Sequence, residues 1–172
     1  MTATDLTKIK LLVLDVDGVL TDGGIIIHSD GTESKRFHVI DGHRIRMWQR
    51  AGGLTAIISG RETPATTIRA RQLGIPHVMQ GCLKKLPAFE ALLEQTKLSP
   101  EEVAYVGDDV MDLPLIRRAG FAVAVANAAE ELKVHADFVT RRKGGQGAVG
   151  EVIEYILKSN HQWDSLMERY QV

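Results

Sequence analysis

The sequence predicts an α/β fold, in which a mostly parallel sheet is covered by helices on both faces in a Rossmann-like three-layer sandwich. Three observations favour it. Apolar runs of strand length alternate with amphipathic segments of helix length. The connections between them are short, and polar or glycine residues follow directly on several apolar runs. The 172 residues contain no proline- or serine-rich linker, so we expect a single domain over residues 1–172.

The composition argues against several classes of protein. Hydrophobic residues make up 44% and charged residues 25%, as in an ordinary globular domain. A net charge of −1 gives no electrostatic reason to expect nucleic acid or an anionic membrane as partner. The one cysteine, Cys82, excludes an intrachain disulfide and fits a reducing compartment. The sequence contains no signal-peptide core and no apolar run of about 18 residues. We therefore expect a cytoplasmic protein with no membrane span.

The first strand is predicted at residues 9–14, where consecutive aliphatic residues indicate burial on both faces. Asp15 and Asp17 follow at its carboxyl end, and Gly18 permits a tight turn after them. Residues two apart in an extended chain point to the same side, so both carboxylates could face one site. Such a pair is repulsive unless a cation or a shared proton lies between the carboxylates. A strand-end turn with two solvated aspartates is the alternative.

A β-hairpin is predicted over residues 23–39. A β-branched run, an Asp30-Gly31 turn and a second extended run are typical of that structure. The hairpin follows directly on the acidic loop. It therefore either lies over or beside the site or is an ordinary excursion at the sheet edge.

The rest of the chain alternates between strands and helices. Further strands are predicted at residues 54–58, 75–79, 103–106, 121–125 and 137–140. Helices are predicted at residues 42–51, from Glu62 or Thr63 to Leu73, around Leu86 to Leu93, and at residues 113–119, 127–135 and 148–158. Asp41 and Asn127 are the predicted amino-terminal caps of two of them. In the tail, residues 160–172, apolar side chains recur at helical spacing and predict an amphipathic helix that docks on the body or on a partner.

Chemistry-bearing side chains lie at four of these strand ends. They are Asp15, Asp17, Ser59, Arg61, Lys85, Asp108, Asp109 and Asp112. Because the carboxyl ends of parallel strands meet at one edge, these groups can converge. Carboxylates suit a hard cation such as Mg²⁺, and a hydroxyl with a lysine suits phosphoryl oxygens. The set indicates phosphoryl transfer, in which an aspartate can be the nucleophile. Taken singly, Ser59 could be a turn residue, Lys85 solvated, and Asp109 or Asp112 a helix cap.

In these motifs the chain resembles the haloacid dehalogenase-like phosphatase superfamily. The first motif of that superfamily stands here as Asp15-Val16-Asp17-Gly18-Val19-Leu20-Thr21. The second and third are Ser59 and Lys85, the latter a better match than Lys84. The fourth is Gly107-Asp108-Asp109-Val110-Met111-Asp112.

The resemblance implies a role for each site residue. Asp15 is the nucleophile, and Asp17 protonates the leaving oxygen and then activates water. Mg²⁺ is held by the Asp15 carboxylate, the Asp17 carbonyl and Asp108. Ser59 and Lys85 bind phosphoryl oxygens. Asp109 and Asp112 are supporting acids whose division of roles stays open.

Most members of that superfamily carry an inserted cap domain. Here only the hairpin stands at the first insertion point, which indicates a capless enzyme. In such an enzyme either the substrate is large or a neighbouring subunit acts as the lid.

Over nearly the whole chain the sequence most resembles the 3-deoxy-D-manno-octulosonate 8-phosphate phosphatases. The matching segments include Thr21-Asp22-Gly23, Phe37-His38-Val39, Ser59-Gly60-Arg61 and Gly144-Gly145-Gln146-Gly147-Ala148. The resemblance implies a homotetramer that acts on an acidic eight-carbon sugar phosphate of lipopolysaccharide synthesis. The chain departs from the family pattern at three positions. Ile40 stands where the family has an arginine, and an arginine appears instead at Arg44. Gln146 stands where the family often has an arginine or a lysine. Arg61, Arg141, Arg142 and Lys143 are the candidate binders of the sugar carboxylate or phosphate, or else a solvated basic patch.

Three alternatives stay open. A phosphatase of nine-carbon acylneuraminate 9-phosphates would use the same chemistry on a longer sugar. A receiver-like regulatory domain also joins acids, a hydroxyl and a lysine on a parallel sheet, but its phosphoacceptor aspartate follows the third strand, where this chain has Met79-Gln80-Gly81. A non-catalytic phosphate-binding protein would need to have kept all four motifs without using them.

Overall fold

The computed structural model describes residues 4–171 and confirms the predicted α/β fold. Its strands are β1 Leu11–Leu14, β2 Ile26–Ile27, β3 Glu33–Ser34, β4 Leu54–Ile58, β5 His77–Met79, β6 Val103–Gly107, β7 Phe121–Ala124 and β8 Phe138–Val139. Six of them form one sheet in the order β5-β4-β1-β6-β7-β8, and every neighbouring pair in it is parallel. Such a sheet needs helices on both faces, because its central strands are buried and largely apolar.

The helices follow the strands with short connections. They are α1 Val39–Arg50, α2 Pro64–Leu73, α3 Lys85–Thr96, α4 Leu113–Ile116, α5 Glu130–Lys133, α6 Ala148–Ser159 and α7 Trp163–Glu168. Short 3₁₀ turns at Leu6–Lys8, Pro100–Glu102 and Val110–Asp112 complete the connections. Among residues 4–171, no helix is both long and apolar enough to cross a membrane.

The strand register brings the predicted site together. All four residues of β1 are fully buried. Leu14, the last of them, is level with Ile57 of β4 and Val106 of β6. The residues that follow on these three strands are therefore neighbours at the carboxyl edge of the sheet. This places the loops that contain Asp15, Ser59 and Asp108 side by side.

The predicted hairpin is present but its ladder is short. Only Ile26–Ile27 and Glu33–Ser34 pair, in antiparallel fashion. The residues after Ser34 leave the ladder and lead into α1, which already begins at Val39. We call residues 23–38 the flap.

Two predicted helix caps are wrong. Asp41 lies inside the first turn of α1, where its buried carboxylate accepts hydrogen bonds from the amides of Gly147 (3.3 Å) and Gly150 (2.7 Å) at the start of α6. Asn127 does not cap α5; its Oδ1 accepts from the amide of Gly144 at 2.8 Å. In both cases local sequence predicts that a side-chain oxygen caps the helix that follows it. That oxygen instead accepts a hydrogen bond from an amide more than ten residues away along the chain.

The last helix docks on the chain's own body. The Arg44 guanidinium lies 5.0 Å from the centre of the Trp163 ring, and Tyr170 accepts a hydrogen bond from Arg50 at 2.7 Å. Trp163 and Leu166 pack against the hydrophobic core. Of the two alternatives for this segment, the structure shows docking on the body.

Candidate active site

A cavity of about 270 Å³ opens at the carboxyl edge of the sheet. The structure brings to it all eight residues that were predicted at the strand ends. Its lining residues are Asp15, Asp17, Gly23, Ser59, Gly60, Arg61, Lys85, Asp108, Asp109, Met111 and Asp112. Acids follow β1 and β6, Ser59 and Arg61 follow β4, and Lys85 begins α3, so four separate segments contribute.

Lys85 links the acids of the two central strands. Its ammonium lies 3.0 Å from Asp15 Oδ1 and donates a 2.6 Å hydrogen bond to Asp112 Oδ1. All three side chains are buried. Burial alone would lower the pKa of Lys85, but the two carboxylates raise it above its usual value. Lys85 is therefore a permanent cation beside Asp15.

Asp112 has both of its oxygens occupied. Oδ1 accepts from Lys85 and from the Tyr105 hydroxyl, each at 2.6 Å. Oδ2 accepts from the amides of Asp108 (2.9 Å) and Asp109 (3.3 Å). Asp109 instead is exposed and caps the following turn by accepting from the Val110 amide at 2.7 Å. Asp112 is thus the acid that holds the loop after β6 and orients Lys85.

Three carboxylates crowd one end of the cavity. Oxygens of Asp15, Asp108 and Asp112 all lie within 4.8 Å of one another. Burial, with Asp112 adding repulsion, raises the pKa of Asp15 to about 6 although Lys85 opposes this rise. Burial and the neighbouring Asp15 and Asp112 raise the pKa of Asp108 to about 8. A hard divalent cation would relieve this repulsion, so the residues present fit a magnesium site.

The turn after β1 determines how the acids approach each other. Gly18 has a φ of +86°, and a Cβ built on it would lie 1.8 Å from Asp108 Oδ2. Only glycine allows this backbone next to that carboxylate. The amides of residues 19–21 all donate to the Val16 carbonyl and none to the Asp17 carbonyl. That carbonyl is the backbone oxygen predicted to bind the metal.

The flap adds charged residues that sequence reasoning missed. The Lys35 ammonium forms a short ion pair with Asp17 Oδ1 and lies 3.2 Å from Glu33 Oε1. Arg61 reaches Glu33 Oε2 at 2.6 Å and Asp17 Oδ2 at 3.7 Å. The alternation of Glu33 and Lys35 along an extended arm was the available signal, because it puts both side chains on one face. Tyr105, also missed, lies inside an apolar strand, where its hydroxyl gave no local signal.

The glycine-rich loop at residues 141–147 packs behind the acidic turn. The Gly145 amide donates to the Val19 carbonyl at 2.9 Å, and a Cβ on Gly144 would lie 1.6 Å from the Gly18 carbonyl oxygen. Arg141, Arg142 and Lys143 do not line the cavity. Neither does Arg44, which is occupied with Trp163, and Ile40 lies outside it as well.

Known proteins resemble the chain in sequence and in structure. Residues 49–153 match the family model of the haloacid dehalogenase-like hydrolases. The 3-deoxy-D-manno-octulosonate 8-phosphate phosphatase of Escherichia coli K12 is 47% identical over 157 residues, which cover 91% of this chain and 84% of that protein.

Two solved structures share the fold closely. One is the 3-deoxy-D-manno-octulosonate 8-phosphate phosphatase of Moraxella catarrhalis in complex with magnesium, phosphate and KDO. It has a TM-score of 0.94 and 41% identity over 96% of this chain and 95% of its own. The other is the cobalt-bound deoxy-D-mannose-octulosonate 8-phosphate phosphatase of Haemophilus influenzae, with a TM-score of 0.88 and 39% identity over 91% of each chain.

Proposed function

The chain belongs to the haloacid dehalogenase-like hydrolases, among the 3-deoxy-D-manno-octulosonate 8-phosphate phosphatases, and from this premise we propose that it hydrolyses the phosphomonoester of an eight-carbon 2-keto-3-deoxy sugar acid. It is a phosphoric monoester hydrolase. One observation carries the proposal: Asp15, paired with the buried Lys85, shares a cavity with a carboxylate cluster, Ser59 and Arg61. A nucleophile, a cation site and phosphoryl-oxygen donors are the parts that phosphoryl transfer needs.

The two aspartates of the first motif divide the chemistry. Asp15 attacks phosphorus, and the bond from phosphorus to the sugar oxygen breaks as Asp17 gives its proton to that oxygen. Asp17 then takes a proton from water as the water oxygen attacks phosphorus, which releases phosphate and frees Asp15. Lys85 offsets the repulsion between Asp15 and the incoming phosphate dianion. The buried Ser59 hydroxyl binds a phosphoryl oxygen.

The carboxylates of Asp15 and Asp108 and the Asp17 carbonyl are the proposed Mg²⁺ ligands. Asp112 is not among them in this assignment, because all its hydrogen-bonding capacity is used in holding Lys85, Tyr105 and the loop amides. When bound, the cation supplies charge neutralisation for the phosphoryl group. Asp109 supports the loop by capping the turn that follows it.

Arg61 is the proposed binder of the sugar acid in this chain. It is a half-exposed cation on the cavity wall. Arg44 does not replace the arginine that the family has at position 40, because it stacks on Trp163 away from the cavity. If the assembly needs a further carboxylate binder, a neighbouring subunit supplies it.

We also propose that the enzyme is a cytoplasmic homotetramer joined through its flaps. Ile25, Ile26 and Ile27 are 49%, 51% and 72% exposed on the flap. Three consecutive exposed isoleucines form an apolar surface that association would cover.

The proposal is tested by phosphate release from a panel of six-, eight- and nine-carbon sugar phosphates in the presence of Mg²⁺. We expect the eight-carbon acid to give the highest kcat/KM and Asp15→Asn to abolish turnover. Asp164→Asn makes the same chemical change at an exposed site and should leave turnover intact.

An inactive wild type, or an Asp15→Asn variant with full activity, would contradict phosphatase action through Asp15. Best turnover of a nine-carbon acid would favour the acylneuraminate alternative. A long-lived phosphorylated Asp15 without turnover would favour a receiver-like function.

A further inference from the structure

Lys35 is a buried lysine outside the four motifs. Its side chain is 1% exposed, and its ammonium lies between Asp17 Oδ1 and Glu33 Oε1. Burying a lysine is costly unless its charge is matched and hydrogen-bonded. Glu33 alone would balance this charge, yet the ammonium also contacts Asp17 on the catalytic turn.

The two oxygens of Asp17 have different surroundings. Lys35 donates to Oδ1. Oδ2 is withdrawn from solvent but makes no hydrogen bond within residues 4–171; Arg61 Nε lies 3.7 Å from it. Glu33 completes the arrangement by bonding Arg61 at 2.6 Å while facing Lys35. One oxygen of Asp17 is therefore anchored and the other is left available.

We propose that Lys35 is a positioning residue, which anchors Oδ1 of Asp17 so that Oδ2 is presented to the leaving oxygen of the substrate. The inference rests on the proposed function, in which Asp17 supplies the proton for that oxygen. The bond from Asp15 to phosphorus forms while the bond to the leaving oxygen breaks, and the proton on Oδ2 passes to the leaving oxygen. Through Lys35 the flap would take part in the chemistry of the site.

The role predicts a dependence on the leaving group. A sugar alkoxide is a poor leaving group and needs the proton, whereas p-nitrophenolate departs as a stable anion and does not. The ratio kcat/KM covers the steps up to departure of the leaving group, so it excludes the later water attack that all substrates share. A loss of positioning should therefore appear with the sugar phosphate and not with p-nitrophenyl phosphate.

The experiment measures kcat/KM for both substrates with saturating Mg²⁺. Lys35→Met and Lys35→Gln remove the ammonium. Each should lower the value for the sugar phosphate by about 10- to 100-fold, as misplaced catalytic groups do, and that for p-nitrophenyl phosphate by less than about threefold. Lys35→Arg keeps a cation and should recover part of the loss.

Arg36→Met is the matched control. Arg36 is the next residue of the flap, and its side chain is 74% exposed and paired with Asp22 outside the cavity. Its loss should therefore leave kcat/KM unchanged for both substrates. Unchanged turnover of p-nitrophenyl phosphate also shows that the Lys35 variants are folded.

An equal fall with both substrates would overturn the inference, because Lys35 would then act on the phosphoryl group or on the fold. Lys35 variants with unchanged kcat/KM for both substrates would also overturn it. A wild type inactive on both substrates would be a different failure, since it would overturn the proposed function itself.

Discussion

Among single residues, Asp112 explains why the fourth motif ends in an acid. It is fully buried, and each of its oxygens accepts two hydrogen bonds. A buried carboxylate is stable only when it is satisfied in this way. The spacing from Asp108 to Asp112 is what returns the carboxylate to the amides of residues 108 and 109. The acid therefore holds the loop that presents Asp108 to the cavity.

The first prediction concerns Gly18 in the turn after β1. Gly18→Ala should lower phosphatase activity by on the order of a hundredfold. The added Cβ would lie 1.8 Å from Asp108 Oδ2, so the Asp108 carboxylate would have to move. Gly52→Ala is the control: Gly52 has a similar φ of +91° but nothing within 4 Å of its Cβ position. Both variants should lose about 1–2 kcal/mol of stability, because an L-residue is strained in the left-handed backbone conformation. Equal activity in the two variants would contradict the proposed steric effect.

Individual site residues were predictable where a strand end marked them. Asp15, Asp17, Ser59 and Asp108 each follow an apolar run, and the sheet itself brings them together. Lys35 was not predictable in this way. Its contact with Asp17 depends on how the flap folds back, which no local pattern in the hairpin specifies.

At the scale of elements, the start of α6 connects the carboxyl-terminal part of the chain to the catalytic turn. Asp41 of α1 holds the amides of Gly147 and Gly150, and the preceding Gly144 and Gly145 lie against the backbone of residues 18–22. The turn that carries Asp17 is thus supported from behind by a loop more than 120 residues later.

Asp41→Ala should therefore destabilise the protein by about 1–3 kcal/mol, because two buried amides of α6 lose their acceptor. The measurement is chemical denaturation in the presence of Mg²⁺. Asp5→Ala is the control, because Asp5 caps an exposed 3₁₀ turn through the Thr7 amide. Its loss should cost only about 0.5 kcal/mol. Equal costs for the two variants would show that the link between α1 and α6 adds nothing.

The elements predicted well are those whose signals are local. The helix α2 has the predicted start at Thr63 with Pro64 in its first turn, and Gly74 ends it with a φ of +63°. The caps assigned to Asp41 and Asn127 failed, because donors distant in sequence compete for their oxygens. A cap can be predicted from sequence only when no other element offers a better donor.

On the scale of the whole molecule, the sheet concentrates negative charge at one edge. The sequence predicted that convergence, since parallel strands share an edge, but not the order of the strands. That order places β1 between β4 and β6, so acids from the two central strands lie next to each other. This proximity is what makes the carboxylates of Asp15 and Asp108 hard to ionise together.

Metal-free protein should therefore become less stable as the pH rises. Folding raises the pKa of Asp15 from 3.8 to about 6 and that of Asp108 from 3.8 to about 8. The folded chain consequently binds more protons than the unfolded chain between roughly pH 4 and pH 8, and it loses this contribution as the pH increases through that window. Mg²⁺ should reverse the loss, since it binds the ionised carboxylates of the folded state.

We expect Mg²⁺ to raise the thermal unfolding midpoint more at pH 8 than at pH 5, measured with and without chelator. Asp108→Asn removes the more strongly shifted of these two carboxyl groups, so it should flatten the pH dependence of the metal-free protein and reduce the effect of Mg²⁺. Comparing the variant with the wild type cancels the contribution of histidines and other groups that titrate in the same window. An equal Mg²⁺ effect at both pH values, retained in Asp108→Asn, would mean that the stabilising cation binds away from this edge of the sheet.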